Sequence, residues 1–270
     1  RPPGRRQGGA AVSEPTTLGS ELTRALLERL TALGDDELVL GHRDSEWTGH
    51  APILEEDIAI ANVAQDEIGH AVLWYGLVEQ LGGPDPDRLA FFRDADEYRN
   101  AALVDRPRGD WAFTMARQFL FDAYEAELLP RLERSSYAPV ADAAAKVRRE
   151  ELFHLRHSQL WLERLAYGTD ESRARLEDAL AAAWPLLPQL LAPMPGDAEL
   201  VAAGMWPAPV EVGSATVDRV TGTLTALGLR APPLADGQVV ERHVRQPPEL
   251  GDLLSVLQSV ARADPEAQAW

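Results

Sequence analysis

Apolar residues recur every three or four positions along four long segments of this chain. Gly and Pro residues separate the segments, which cover about 18–45, 54–81, 110–132 and 139–167. Apolar positions at this spacing line one face of an α-helix. The pattern therefore predicts four long amphipathic helices, and weaker helical patterns follow near 171–192, 209–228 and 249–263.

The segments between the helices contain no alternating apolar and polar runs of the kind that form a sheet. Residues 85–108 form a long connection, with a short helix expected at about 94–103. Residues 231–248 are rich in Pro and predict a loop, or at most a small hairpin around Val239 and Val240. We therefore expect an all-α fold in which the long connection is a crossover between two antiparallel helix pairs.

One acidic residue interrupts the apolar stripe in each long helix. These residues are Glu37, Glu67, Asp122 and Glu151. Glu37 and Glu67 are 30 positions apart, and Asp122 and Glu151 are 29 apart, so the two helix pairs form an internal repeat. A carboxylate buried without a partner costs several kcal/mol. Four of them in one core predict neutralisation by a pair of divalent cations.

A histidine follows two of these acids at a distance of three residues, giving the pairs Glu67–His70 and Glu151–His154. At this spacing both side chains lie on one helix face. Two such pairs, with an acid from each other helix, form the ligand set of two-metal sites in helical bundles. Oxygen-rich ligands with one imidazole per metal suit iron or manganese. We expect Glu67 and Glu151 to bridge the metals, and Glu37 and Asp122 to be terminal ligands.

Other interpretations of these residues stay open at this point. The acids could instead form a polar face or hydrogen-bonded pairs, and a degenerate site could keep the residues and bind metal poorly. Glu125 and Glu127 flank Asp122, and one of them could replace it, although the register favours Asp122. Asp66 and Glu150 precede the bridging acids and either hold the histidine ring N–H groups or are solvated.

Composition narrows the range of partners. The net charge of −17 argues against nucleic acid and against an anionic membrane as partners. The absence of cysteine excludes disulfides and fits a reducing, cytoplasmic location. No run is apolar and long enough to span a bilayer. Residues 1–17 are rich in Gly, Pro and Arg, which predicts a disordered tail. We expect one helical domain over 18–270, with a core bundle at about 18–167 and a C-terminal helical extension at about 168–270.

Several motifs are similar to those of a known family. They are Gly34-Asp35-Asp36, Ser45-Glu46-Trp47-Thr48-Gly49-His50-Ala51-Pro52, Leu54-Glu55-Glu56-Asp57-Ile58-Ala59, Ala116-Arg117-Gln118-Phe119, Asp122-Ala123, Trp161-Leu162-Glu163-Arg164-Leu165, Gly168-Thr169 and Leu250-Gly251-Asp252-Leu253-Leu254. On these motifs the chain resembles, over about residues 18–270, the PaaC-type subunit of phenylacetyl-CoA epoxidase, a multicomponent bacterial monooxygenase. The resemblance implies a ferritin-like four-helix bundle with additional C-terminal helices.

The candidate site departs from the PaaC-type pattern. PaaC-type subunits typically keep the fold, have lost metal ligands and serve as structural partners. Here the segments 65–70, 135–137 and 150–154 resemble the catalytic PaaA-type subunit instead. That resemblance places the six metal positions, with no gap, on Glu37, Glu67, His70, Asp122, Glu151 and His154.

The resemblance implies a role in inserting one oxygen atom of O2 into the ring of phenylacetyl-CoA. Two iron ions, or manganese, would be the cofactor, and a partner reductase would supply electrons from NADPH. The expected assembly is a homo-oligomer or a heteromeric complex with PaaA-type and reductase subunits. The acyl-CoA phosphates would contact an arginine cluster, with Arg148, Arg149 and Arg156 as candidates, or a partner subunit. The alternatives are a non-catalytic scaffold subunit, a stand-alone di-metal oxygenase or oxidase with another substrate, and a metal-handling ferritin-like protein.

Overall fold

The computed structural model describes residues 18–231, 242 and 248–267, and every regular element in these residues is helical. The four long helices are α1 (Ser20–Ser45), α2 (Leu54–Gln80), α5 (Trp111–Leu132) and α6 (Ala138–Tyr167). Their bounds agree with the predicted ones to within two residues. The predicted tail at 1–17 and the predicted hairpin around Val239 lie outside the described residues.

The long helices form two pairs. Helix α1 packs along α2, α5 packs along α6, and the pairs approach each other most closely between α2 and α6. The connection from α2 to α5 crosses the bundle between the pairs. The prediction of an all-α, ferritin-like four-helix bundle with one long crossover is therefore confirmed.

The crossover is broken into shorter pieces than the single helix predicted at about 94–103. It contains α3 (Pro86–Phe91), a 3₁₀ turn (Ala95–Glu97) and α4 (Ala102–Asp105). The backbone N–H groups of Arg99 and Ala101 donate to the buried carboxylates of Asp35 (2.6 Å) and Asp36 (2.7 Å) on α1. These two N–H groups are used in tertiary contacts and so cannot continue a helix.

Smaller helices cover the bundle after α6. They are α7 (Asp170–Ala183), α8 (Leu187–Leu190), α9 (Asp197–Ala202), α10 (Pro209–Ala226), α11 (Pro248–Leu257) and α12 (Ser259–Ala263). The predicted helix at 171–192 is interrupted by a 3₁₀ turn at Trp184–Leu186, and α9 was not predicted. Helices α7 and α10 pack against α5. None of the helices in the described ranges has the length and apolar character needed to cross a bilayer.

The apolar stripes point into the bundle as the spacing predicted. The residues that lie at steps of three or four along these stripes and are buried are Leu26, Leu30, Leu33, Leu40, Ile60, Val63, Trp74, Leu77, Trp111, Met115, Phe119, Leu129, Val140, Ala144, Val147 and Ser158. Ala126, Trp161 and Leu165 are only half-buried. After Ser158 the inward face of α6 passes instead through Leu162 and Ala166, at steps of four residues.

Local sequence fixes where the site-bearing helices begin and approach each other. Asp110 caps α5, because its carboxylate accepts a hydrogen bond from the N–H of Phe113 at 2.9 Å. Gly41 on α1 lies against α2 beside Glu67. A Cβ at position 41 would be 2.9 Å from the Cβ of Glu67 and 3.0 Å from the carbonyl oxygen of Ala64. Glycine therefore allows α1 and α2 to approach closely at the level of their two acids.

We expect Gly41→Ala to lower the free energy of unfolding by about 1–2 kcal/mol, because overpacking outweighs the gain in helix propensity. Gly76→Ala on α2 is the matched control, since a Cβ there has no neighbour within 4 Å. The control should be neutral or more stable by about 0.5–1 kcal/mol. Urea denaturation of both variants measures the difference. A Gly41→Ala protein as stable as the Gly76→Ala protein would contradict the close approach.

Candidate metal centre

The bundle brings predicted ligands from three helices together in its interior. One ligand atom from each of Glu37, Glu67, His70 and Glu151 lies within 4.8 Å of the others, and all four residues are buried. His154 lies beside them, with Nδ1 2.8 Å from Oε1 of Glu151 and 3.5 Å from Oε1 of Glu67. Five of the six predicted metal ligands thus form one continuous cluster.

The cluster has two related halves. Nδ1 of His70 lies 3.5 Å from Glu37, 3.4 Å from Glu151 and 3.8 Å from Glu67. The imidazole rings of His70 and His154 are 6.1 Å apart. Glu67 and Glu151 each contact both histidines, whereas Glu37 contacts only His70. This is the arrangement expected of two central carboxylates between two metal positions.

The outer nitrogens of the histidines face the acids that precede the two motifs. Nε2 of His70 is 2.7 Å from Oε2 of Glu150, and Nε2 of His154 is 3.4 Å from Oδ2 of Asp66. The contacts cross between helices, because each acid approaches the histidine of the other motif. A ring that donates from Nε2 keeps the lone pair of Nδ1 available to bind a metal.

Asp122, the sixth predicted ligand, is buried but set back from the compact cluster. Its Oδ1 accepts from Nε2 of Gln118 at 2.8 Å, and its Oδ2 accepts from the hydroxyl of Ser158 at 2.6 Å. Nε2 of Gln118 also donates to Oε1 of Glu67 at 2.9 Å. Gln118 therefore joins Asp122 to the cluster. Sequence reasoning missed this role, although Gln118 lies four residues before Asp122 on the same helix face.

Of the two acids that flank Asp122, one faces the centre and the other faces away. Glu127 pairs with Arg131 at 2.8 Å and with Nε of Arg219 at 2.9 Å. Glu125 is fully buried, and neither of its carboxylate oxygens has a hydrogen-bond partner. Ala126, four residues after Asp122, is only half-buried. Glu125, three residues after Asp122, takes the inward place.

Trp74 also contributes to the centre. Its Nε1 donates to Oε1 of Glu37 at 3.2 Å, so this buried aromatic residue also helps to position a carboxylate of the centre. His157 lies outside the cluster, because its Nε2 contacts Oε2 of Glu56 at 2.7 Å.

The buried acids on α1 outside the cluster have arginine partners. Asp35 pairs with Arg93, Asp36 with Arg242, and Asp44 with Arg117. No arginine or lysine is paired in this way with Glu37, Glu67 or Glu151 in the described part of the chain. In the centre, histidines are the only basic residues of these ranges that approach the buried negative charge.

Buried polar atoms without partners concentrate in the centre. They include Oε2 of Glu37, Oε2 of Glu67, both carboxylate oxygens of Glu151, and Nδ1 of His70 and His154, which approach one another at 2.8–3.8 Å without the geometry of a hydrogen bond. Buried polar atoms in folded proteins almost always have a hydrogen-bond partner. Carboxylate oxygens and imidazole nitrogens that converge in this way are the donor set of a site for hard, oxygen-preferring metal ions. The residues present therefore fit a metal centre.

Burial and mutual repulsion change the acidity of these groups. Burial and the nearby charge of Glu125 raise the pKa of Glu37 well above its usual range. Burial also raises the pKa of Asp122, and burial with repulsion from Glu151 raises that of Glu125. Burial raises the pKa of Glu151 to about 7. Burial opposes ionisation of Glu67 as well, but its close contacts with Glu37, His154 and His70 outweigh burial and lower its pKa.

The three arginines considered for acyl-CoA do not form a free cluster. Arg148 is paired with both carboxylate oxygens of Glu133 at 3.0 Å. Arg149 and Arg156 are exposed.

Comparison with known proteins identifies the family. The sequence model of a family described as "Phenylacetic acid catabolic protein" matches residues 10–270. The chain belongs to this family. It is 41% identical over 169 residues to the C subunit of 1,2-phenylacetyl-CoA epoxidase from Escherichia coli (strain K12). That match covers 61% of this chain and 68% of the relative.

A second relative is similar at lower identity. The chain is 27% identical over 161 residues to the A subunit of 1,2-phenylacetyl-CoA epoxidase from Escherichia coli (strain K12). The match covers 60% of this chain and 52% of that relative, so the chain spans about half the length of this second protein. Both relatives are named as subunits of one epoxidase, which fits the expectation of a multi-subunit assembly.

The pKa shifts predict how stability depends on pH when metal is removed with a chelator. The raised pKa values of Glu37, Asp122, Glu125 and Glu151 mean that the folded state holds protons that the unfolded state releases near pH 4. Stability then falls as pH rises. The histidine pKa values are also raised, by Glu67 for His70 and by Glu151 for His154, against the effect of burial. Their stabilisation is likewise lost as pH rises.

We expect the free energy of unfolding of the metal-free protein to fall by at least about 1 kcal/mol between pH 5 and 8. The lowered pKa of Glu67 acts only below this range. Thermal unfolding in chelator at several pH values measures the trend. Glu151→Gln should reduce the fall, whereas Glu127→Gln, which removes one charge outside the centre, should keep it. A metal-free protein that becomes more stable toward pH 8 would contradict the assignment.

Proposed function

We propose that this chain is a subunit of a phenylacetyl-CoA ring 1,2-epoxidase, a monooxygenase complex of phenylacetate catabolism, and that it carries a carboxylate-bridged di-metal site. The observation that carries the proposal is the set of unpartnered Glu and His atoms that converge inside the bundle. Membership in the phenylacetic acid catabolic family supplies the chemical context.

Six residues would hold the two metals. Glu37, His70 and the two central carboxylates would surround one position, and Asp122, His154 and the same two carboxylates would surround the other. The ligand set suits iron, with manganese as the second choice, because both ions prefer oxygen ligands with few nitrogens. When bound, such ions supply the activation of O2 that a monooxygenase requires.

The surrounding residues have roles that do not depend on which metal is bound. Glu150 and Asp66 hold the outer nitrogens of the histidines, so both rings present Nδ1 to the centre. Gln118 fixes Glu67 and Asp122 through one amide group. The packed apolar side chains above and below the acids keep bulk water away from the centre.

The proposed substrate follows from the names of the relatives, and the proposed electron source follows from the family resemblance. An acyl-CoA carries phosphates, whereas this chain has a net charge of −17. We infer that a partner subunit supplies much of the phosphate contact, because Arg148 is already paired with Glu133. A partner reductase would deliver the electrons. The cytoplasmic location and the absence of nucleic-acid partners stay predictions from composition.

A second candidate is a structural role beside a separate catalytic subunit. The higher identity to the C subunit than to the A subunit of the Escherichia coli epoxidase favours it. The intact ligand set argues against a purely structural role, because unpaired buried carboxylates destabilise a fold that has no use for them.

Metal analysis separates the two candidates. We expect close to two metal ions per chain after expression with added iron, and loss of at least one ion per chain in Glu67→Ala or Glu151→Ala, because each removes a central ligand. Glu127→Ala is the control, since this acid is paired with arginines outside the centre. Fewer than about half an ion per wild-type chain would contradict the di-metal site.

Reconstitution tests the reaction. The purified chain, a PaaA-type partner, a reductase, NADPH and phenylacetyl-CoA should consume O2 and form an epoxide. Glu151→Ala should abolish the share of turnover that depends on this chain. Full turnover with the Glu151→Ala variant would identify the chain as structural. Turnover without the partner would identify a stand-alone enzyme.

A further inference from the structure

We propose that Glu125 is a seventh ligand of the metal centre and binds the metal on the His70 side. The family resemblance places six metal positions on this chain, and Glu125 is not among them. The inference rests on the proposed function, because it requires that the centre hold metal. It concerns which residues complete the coordination, and it can fail while the di-metal site stands.

Glu125 is a completely buried carboxylate that has no hydrogen-bond donor or arginine partner among the residues the structure describes. Both of its oxygens lack a hydrogen bond, although the residue is 0% exposed. A carboxylate that served only the fold would need hydrogen-bond donors or a cation. Asp122, one turn earlier on α5, receives two donors from Gln118 and Ser158. Glu127, two residues after Glu125, forms salt bridges with Arg131 and Arg219. Only the inward acid between them has neither.

Glu125 is fully buried one turn after Asp122 on the inward face of α5. Both acids repel Glu67 and Glu151. In addition to the effects of burial, the charge of Glu125 raises the pKa values of Glu37 and His70, whereas it is the charge of His154 that opposes the raised pKa of Asp122. Helix α5 thus directs one carboxylate toward each histidine. The metal on the His70 side would then have its own α5 acid in addition to Glu37 from α1.

The internal repeat provides no counterpart of Glu125 in the other helix pair. Glu37 on α1 corresponds to Asp122 on α5, and the residue three positions after Glu37 is Leu40, which is fully buried. The additional carboxylate therefore makes the two metal positions different. Five ionised carboxylates also carry one more negative charge than two divalent ions neutralise, so Glu125 should favour the trivalent state of the metals.

The test uses metal binding by the full chain rather than turnover. Metal is removed with a chelator, and Mn²⁺ alone is titrated into wild type, Glu125→Gln and Glu127→Gln by calorimetry. We expect two Mn²⁺ per wild-type chain, one of them bound at least about tenfold more weakly by Glu125→Gln. Glu127→Gln, which removes an acid from the same helix outside the centre, should bind like wild type. The iron-loaded Glu125→Gln protein should also have a higher reduction potential than wild type.

The outcomes separate this inference from the proposed function. Two Mn²⁺ bound with wild-type affinity by Glu125→Gln would overturn the seventh ligand and leave the six-residue site intact. No Mn²⁺ bound by wild type would overturn both. A crystal of the wild-type chain soaked in Mn²⁺ gives an answer even if Glu125→Gln does not fold. The anomalous signal should lie within about 2.5 Å of a Glu125 oxygen, and a signal with no Glu125 oxygen at that distance would overturn the inference.

Discussion

Repulsion among buried carboxylates is the interaction on which the rest of this structure depends. Glu37, Glu67, Asp122, Glu125 and Glu151 come from all four long helices and meet inside the bundle, where the low dielectric strengthens their repulsion. Two imidazoles, several hydrogen bonds and bound protons offset part of it. The proposed pair of metal ions would neutralise the remainder, and buried polar atoms without partners collect at this level of the bundle.

The neighbouring acids on α1 show how the same chain handles buried charge for structural purposes. Asp35 and Asp36 pair with Arg93 and Arg242 and also accept backbone N–H groups from the crossover. They fix the connection to the helix that carries Glu37. In Gly34-Asp35-Asp36-Glu37, two consecutive acids therefore hold the fold together, and the third faces the metal centre.

The two helix pairs are related but not equivalent. Both supply an acid followed by a Glu-x-x-His motif, and the outer acids Asp66 and Glu150 cross to the opposite histidine. Helix α5 carries Gln118 and Glu125 at the positions that correspond, in the internal repeat, to Leu33 and Leu40 of α1. Polar groups are thus more numerous on the α5 side, which gives the two halves different surroundings.

The sequence by itself determined the helices and the crossover, and it predicted most of the residues that converge inside the bundle, because periodic apolar stripes and fixed i, i+3 spacings are local properties of a chain. It could not determine whether Glu125 faces inward, because a stripe that steps by three or four residues allows either Glu125 or Ala126 to follow Asp122. Packing against α6, α7 and α10 decided that register. The breaks in the crossover, the role of Gln118 and the crossed histidine contacts also depended on tertiary structure, since each is a contact between residues far apart in the sequence.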